Sequence, residues 1–548
     1  MGSYLNPSTI GFEKSLNSEI YIDKSLLIKE TNNVINTRQQ FMCVSRPRRF
    51  GKSMAMEMLS AYYSCNHDSH PLFDNLKISS DKSYNKHINR YNVIHVNMQS
   101  FLSRSAGIDS MLDKLKKYIT HDIATAYPDV SFLDPEDFIQ VQIDTYAHTG
   151  IQFIILIDEW DCLFREYKEN PDTQKKYLDF LRSWMKDQDY VALAYMTGIL
   201  PIKKYGTHSA LNMFTEFSMT DPRRLAPYFG FTGEEVRELC RQYNMPFEEV
   251  KAWYDGYELS YESSISDASV LSEDGKNISR ADSRIICSMY NPKAVVESML
   301  SHQLAPYWNQ TETYEALKVY IQMNIDGLKD AVTSMLTGQN INVNIRGFDN
   351  DMTSFSNKDD ILTLLIHLGY LSYHQKSETV TIPNKEVSEV YITSIERIES
   401  WKEVFQALSA SKSLLESLWE CDGESVAAGV DMVPDEIAIL KYNDENSLSC
   451  CIHMAFFFAR EYYNIFRELP SGKGFADVVY IPSPLHADKP AAVIELKWDK
   501  SAHGAIAQIK NRQYCSSLKD YNGNLLLCGI NYDSKTKKHT CAIEKIEL

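Results

Sequence analysis

An α/β fold is predicted: a parallel sheet in the amino-terminal part, a mostly helical middle and a second, smaller α/β unit at the carboxyl terminus. Three observations predict it. Short, continuously apolar runs alternate with helical patterns over the first 225 residues, as expected of strands covered by helices on both faces. Residues 311 to 440 are mostly helical in pattern. After residue 445 strand and helix patterns return within a stretch of about 100 residues.

The strands of the first part follow in order. "FMCVS" (41–45), "NVIHVN" (92–97), "FIILID" (153–158) and "YVALAYM" (190–196) are apolar, and "FTEFSM" (214–219) is a weaker fifth. Helical stretches such as "SMAMEMLSAYY" and "DSMLDKLKKYITHDIATAY" lie between them. Beyond residue 225 the chain turns helical. Thr232 and Glu235 form a capping-box pattern at the start of "TGEEVRELCRQY". Asp255-Gly256 marks a turn in "WYDGYEL". Residues 261–284, rich in Ser, Asp, Glu and Gly, read as a loop or insertion. Asn291 caps a helix that has Pro292 in its first turn. "GYLSYH" and "TVTIPN" form a strand pair ending in a turn at Pro383-Asn384. In the last part, "SCCIHMAFFFAREYYNIFREL" reads as an apolar helix, "FADVVYI" and "AAVIELKW" as strands, "HGAIAQIKNRQYC" as a helix and "LLLCGINY" as a strand. The boundaries expected are 1–225, 226–310, 311–440 and 441–548.

At 548 residues the chain exceeds what one core usually supports. Apolar residues make up 44% and charged ones 24%, an ordinary globular composition. A net charge of -17 excludes a uniformly basic coat for nucleic acid but leaves room for a local basic groove. The 11 cysteines are scattered without a C-x-x-C pair, which argues for reduced, buried thiols. The polar start "MGSYLNPSTIGFEKS" has no apolar signal core, and the longest apolar runs are too short to cross a bilayer. A soluble, cytoplasmic protein with no membrane partner is expected.

"SRPRRFGKS" (45–53) approaches the phosphate-loop pattern G-x-x-x-x-G-K-[ST], with Arg46 where the first glycine would stand. It follows a strand and opens a helix, the setting in which backbone N–H groups and a helix N-terminus hold phosphate. Arg48, Arg49, Phe50, Gly51, Lys52 and Ser53 are therefore the candidate ATP-binding segment. Lys52 is expected at the β- and γ-phosphates and Ser53 on Mg²⁺. Pro47 removes one backbone donor; Arg48 and Arg49 either offset that loss or face DNA. The third strand ends in Asp158-Glu159. Asp158 is the expected magnesium-side carboxylate and Glu159 the residue that polarises an attacking water. Thr197, at the end of the fourth strand, either senses the γ-phosphate or simply caps the strand. Arg223 and Arg224 serve either as a finger acting on a neighbouring subunit or as surface charge.

A second constellation lies near the carboxyl terminus. In "VIELKW", Glu495 and Lys497 are two apart and share a strand face. A carboxylate and an ammonium on an apolar strand are costly unless they have work or partners. Asp477 lies in the preceding strand. Asp477 and Glu495 are read as ligands of a divalent ion, with Lys497 stabilising charge on a phosphate; the bland alternative is a buried Glu-Lys pair. Glu461 is a further candidate ligand, and Gln508 and Tyr514 lie in the following helix. Gly472, Lys473 and Gly474 form either a phosphate-backbone contact or a solvated turn.

With these residues in hand, the chain resembles the bacterial AAA-ATPase-like proteins that carry a C-terminal PD-(D/E)XK nuclease-type domain. The resemblance runs over nearly the whole chain: "YIDKSLLI", "SRPRRFGKS", "ILIDEWD", "TGILPI", "FGFTGEEV", "WYDGY", "YNP", "GYL", "IPNKEV", "GKGFADVV", "IELKW" and "QIKNRQY". In that family RPRRFGKS is the ordinary loop, so Arg46 is no defect. The resemblance implies a P-loop ATPase with an additional strand, a helical lid and a restriction-endonuclease-like domain. It implies ATP and Mg²⁺ as cofactors, DNA as partner and a homo-oligomer through the ATPase domain. Lys52, Ser53, Asp158 and Glu159 then look like ATPase residues, and Asp477, Glu495 and Lys497 like a nuclease core. Trp160, Cys162 and Phe475 depart from the family pattern. A nuclease gated by ATP and a regulatory ATPase whose nuclease-like domain only binds both remain open.

Overall fold

The structure, a computed structural model, describes residues 2–202, 211–262, 284–308, 313–323, 325–348, 355–436, 451–471, 474–483, 486–511 and 524–547. It forms two compact units. One comprises Met1–Thr313 and Asn342–Glu389, the other Tyr314–Ile341 and Val390–Leu548. The stretch read as 311–440 is divided between the two: Tyr314–Ile341 and the chain from Val390 belong to the second unit, and Asn342–Glu389 to the first.

The first unit is built on five strands: β1 (Phe41–Ser45), β2 (Asn92–Asn97), β3 (Phe153–Asp158), β4 (Val191–Gly198) and β5 (Thr215–Phe217). They form one sheet in the order β2-β3-β4-β1-β5, and every pairing is parallel. All of β3 and β4 is buried, which is why those segments read as unbroken apolar runs. Helix Lys52–Tyr63 contributes Met56, Leu59, Tyr62 and Tyr63 to the core beneath the sheet. The order puts β1 between β4 and β5, so the loop after β1 and the ends of β3 and β4 gather at one edge. Ligands collect at such carboxyl ends in open parallel sheets.

The chain then builds a smaller layer in the same unit. Strands Phe231–Thr232, Tyr257–Glu262 and Arg284–Tyr290 pair antiparallel. Thr232 and Glu235 close the expected capping box, and Asn291 accepts from the N–H groups of Lys293 and Ala294. Val236, Leu239, Val250, Tyr254, Val295 and Met299 share one core. Ser372–His374 and Thr379–Thr381 form the expected antiparallel hairpin. Most of the stretch read as an insertion, residues 263–283, lies outside the described residues.

Gly256 shows why "WYDGY" needs its glycine. Its φ is 118°, and a Cβ there would overlap the Pro383 carbonyl oxygen and lie 2.6 Å from the carbonyl carbon. Gly256→Ala is expected to destabilise this unit by about 2 kcal/mol or more, from a forbidden backbone conformation combined with a clash against rigid backbone. Gly51→Ala faces the conformational term alone, since its φ is 85° and nothing lies within 4 Å; its cost is about 1 kcal/mol. Thermal unfolding of both variants checks the order, which a Gly256→Ala midpoint equal to wild type would contradict.

In the second unit, strands Tyr463–Ser471, Gly474–Pro482, Ala491–Trp498, Asn524–Asp533 and Lys538–Glu547 form a sheet in sequence order. Only the pairing of Ala491–Trp498 with Asn524–Asp533 is parallel. Helix Ala502–Asn511 supplies that crossover, as a parallel connection requires. Two expectations change here. "NIFREL" is not the end of a helix: Tyr463–Ser471 is an edge strand in a hairpin with Gly474–Pro482. Lys538–Glu547 is an added strand beyond the expected set. In the first, tertiary pairing overrides local propensity, since the segment gains a long ladder of backbone hydrogen bonds.

Candidate nucleotide and metal sites

The loop after β1 answers the question raised by Arg46. Its guanidinium turns back under the sheet and is fully buried. Nη1 donates to the carbonyls of Ser45 and Phe217, each at 2.8 Å. Its backbone N–H donates to the Gly198 carbonyl at 3.1 Å. The arginine thus joins β1 to the ends of β4 and β5 rather than facing a phosphate. Burial lowers it to about 10, so it stays charged at neutral pH.

Above it the loop turns through two left-handed residues, Arg49 at φ 69° and Gly51 at φ 85°. A non-glycine residue in that region is worth noting near a functional site. Arg49 Nη1 donates to the carbonyls of Tyr307 (3.3 Å) and Trp308 (3.4 Å). Arg48 is exposed. Phe50 is fully buried and meets the Tyr257 ring edge-on at 5.4 Å. Its ring belongs to the core, and only its peptide group is left at the loop. Lys52 Nζ lies inside the loop, donating to the carbonyls of Arg46 (3.0 Å) and Pro47 (2.9 Å). Burial pushes its ammonium below the ordinary value, while Glu159, Asp158 and Asp161 pull it back up.

Asp158 is the centre of the site. Its Oδ2 accepts from Ser53 Oγ at 2.8 Å. Its Oδ1 accepts from Thr197 Oγ1 at 2.6 Å and from the Glu159 N–H at 2.9 Å. The first helical turn, the end of β3 and the end of β4 thus converge on one carboxylate that is 3% exposed. Thr197 is turned toward Asp158. Glu159 leaves the strand with φ 51° and pairs with Arg165. Its carboxyl is raised by burial, and Arg165 opposes that rise. Arg223 pairs with Asp221 and Arg224 with Glu30, each at 2.8 Å.

Two residues of this site were not singled out from the sequence. Asp161 is fully buried, and its Oδ2 accepts from the N–H groups of Ile199 (3.1 Å) and Leu200 (2.9 Å). Arg165 bonds back to Glu159 and lies 3.5 Å from Asp161 Oδ2. The second aspartate of "DEWD" was the available signal: a charged residue three after Asp158, beside a buried strand end, needs a partner.

In the second unit, Val478 is registered with Ile494 in an antiparallel pair, which sets Asp477 opposite Glu495. Asp477 Oδ2 accepts from the Leu496 N–H at 2.7 Å. Glu495 is 2% exposed, and its Oε1 takes a 2.7 Å bond from Lys497 Nζ and a further bond from Gln508. The structure therefore brings Asp477, Glu495, Lys497 and Gln508 together. It does not bring Glu461 to them, and that expected metal ligand is corrected. Glu461 lies in the short helix Ala459–Tyr462, before Tyr463, which is registered with Pro482, five residues beyond Asp477 along its strand, and among the described residues no bond links the Glu461 side chain to this group. Among the described residues no group of three or more His, Cys, Asp or Glu side chains is placed to hold a metal ion. Gly472, Lys473 and Tyr514 lie outside the described residues, as does the side chain of Phe475.

The geometry of the first site defines a Walker-type nucleotide-binding domain, with a lysine in the loop and a helix-start serine bonded to a strand-end aspartate. Comparison agrees: the family described as predicted AAA-ATPase matches residues 12–207. The PD-(D/E)XK nuclease superfamily matches residues 444–541. The chain thus carries an AAA-ATPase-like domain and, toward its carboxyl terminus, a PD-(D/E)XK nuclease-type domain. A curated relative, an uncharacterised protein in the vnfD 5' region of Azotobacter chroococcum mcd 1, is 23% identical over 277 residues, 49% of this chain. The match spans about half that protein's length, 47%. Among solved structures, the Walker-type ATPase paby2304 of Pyrococcus abyssi is 14% identical, covering 67% of this chain and 94% of that one at a TM-score of 0.31. The Aeropyrum pernix ORC2 protein in its ADPNP-ADP complexes is 12% identical, covering 69% and 96% at a TM-score of 0.30. No helix among the described residues is long and apolar enough to cross a membrane.

Proposed function

We propose that this chain binds and hydrolyses ATP in its first unit and couples that activity to a metal-dependent, nuclease-like domain acting on DNA. The observation that carries the ATPase half is the 2.8 Å bond from Ser53 Oγ to Asp158 Oδ2, beside the buried Lys52. The donor set fits the cofactors. A hydroxyl and a carboxylate are hard oxygen ligands suited to Mg²⁺, and a buried ammonium at a helix start suits phosphate. Ser53 and Asp158 would hold the ion, which neutralises phosphate charge when bound. Lys52 and the loop peptides from Arg48 to Gly51 bind the phosphates. Glu159 orients and deprotonates the attacking water, and Thr197 holds Asp158 in place. DNA and a homo-oligomer through the ATPase domain remain the proposed partners.

In the second unit Asp477 and Glu495 offer two carboxylates to a divalent ion, and Lys497 offsets charge on a phosphodiester. The test is cleavage of single-stranded, duplex and branched DNA with Mg²⁺ or Mn²⁺, with and without ATP. Asp477→Ala and Lys497→Ala are expected to lose metal-dependent cleavage by about 10²-fold or more. Cleavage undiminished in both variants would remove these residues from the reaction.

A second reading is favoured by one observation: Glu495 Oε1 is already engaged by Lys497 and Gln508. In that reading the domain binds nucleic acid or protein without cutting, and ATP controls the binding. Wild-type protein that binds DNA yet leaves every substrate intact under all those conditions would favour it.

A further inference from the structure

The short helix Cys162–Glu166 follows the acidic turn and carries Arg165 back toward it. Arg165 Nη2 pairs with Glu159 Oε2, and Arg165 Nε lies 3.5 Å from Asp161 Oδ2. The pair is shielded, with the Arg165 side chain 14% exposed and that of Glu159 23%, so it escapes most of the screening that makes surface ion pairs worthless. The anchor is itself fixed, because Asp161 accepts from two N–H groups of the chain leaving β4. The left-handed turn at Glu159 directs its side chain out of the strand. Among the described residues only one of its carboxylate oxygens is bonded, and the bond comes from Arg165.

We propose that Arg165 is a positioning residue for Glu159: it clamps Oε2 so that Oε1 is presented to the water that attacks ATP. This rests on the hydrolysis reading above. As the water oxygen bonds to the γ-phosphorus and the bond to the bridging oxygen of the departing ADP breaks, Glu159 Oε1 takes the water proton. Arg165 touches neither substrate nor water. It acts by removing the freedom of a carboxylate that would otherwise rotate, and small errors in such placement cost rate steeply. Asp161 completes the arrangement by tying the clamp to the segment after Thr197.

The test is a double-mutant cycle in the full chain with Arg165→Ala, Glu159→Gln and both together, reading kcat by phosphate release and ATP affinity by titration. Arg165→Ala is expected to lower kcat by about 10- to 100-fold with ATP affinity within about twofold. Arg165→Lys should recover part of the loss, since it keeps one charged donor. In the Glu159→Gln background Arg165→Ala should cost nothing further, because a residue acting through Glu159 has nothing left to position. Equal losses in both backgrounds, a wild-type kcat in Arg165→Ala, or a loss explained by weaker ATP binding would overturn the proposal while leaving the hydrolysis reading intact. Wild-type turnover no faster than that of Glu159→Gln would overturn both. If Arg165→Ala does not fold, Arg165→Lys and Arg165→Gln carry the same cycle.

Discussion

Lys52→Ala is expected to abolish tight binding of Mg-ATP while the chain stays folded. Lys52 is buried at the first helical turn, and its ammonium rests on two loop carbonyls within 3.0 Å. It faces Glu159, Asp158 and Asp161, whose charges favour the protonated amine against the cost of burial. A phosphate chain entering the loop meets a cation already in place. Truncating one partner of a desolvated, charge-assisted contact costs about 2–5 kcal/mol, a loss of roughly 30- to 4,000-fold in affinity. Calorimetric titration with Mg-ATP reads the loss directly, with far-UV circular dichroism reporting the fold. Lys52→Met controls for packing, because it fills much of the same volume without charge. Affinity equal to wild type in a folded Lys52→Ala protein would take Lys52 out of the nucleotide site.

Glu159→Gln is expected to bind ATP with near wild-type affinity and to turn it over roughly 10²-fold or more slowly. The side chain keeps its size and can still accept a bond from Arg165, so the turn should persist. What it loses is the basic oxygen. Asp158 remains bonded to Ser53 and Thr197, so the carboxylate proposed to hold the ion is untouched. The separation is therefore in kcat, not in binding. Steady-state phosphate release at saturating ATP, beside a binding titration, distinguishes the two. Wild-type turnover would assign the water to another residue, and lost binding would assign Glu159 to the phosphates.

Much of the first unit was legible from sequence for a physical reason. An interior parallel strand covered on both faces is apolar along nearly all its length, so "FMCVS" and "FIILID" declared their own ends. The Asn291 and Thr232 caps were legible because a capping side chain bonds within three residues of itself. The Glu495-Lys497 pair followed from strand alternation alone. Readings failed where the deciding partner is distant in sequence. "NIFREL" suits a helix by composition but is a strand because Gly474–Pro482 lies beside it. Glu461 is near Asp477 in sequence terms, yet it lies in the helix Ala459–Tyr462 that precedes the sheet, and the register of the following strand starts at Pro482 rather than at Asp477.

Composition, order and local chemistry by themselves determined the α/β class, the strand-loop-helix segment carrying Lys52 and Ser53, the acidic strand end and the second constellation. Each is written in residues that neighbour one another along the chain. Only the tertiary structure decided what those residues touch. It turned Arg46 beneath the sheet, buried the Phe50 ring and set Thr197 on Asp158. It bound Arg165 to Glu159 and tied Asp161 to Ile199 and Leu200. Sequence periodicity states which face a side chain leaves from, whereas the partner it meets depends on strand order. Here β4 lies between β1 and β3, and that placement brings residues from 46 to 200 onto one carboxylate and its neighbours.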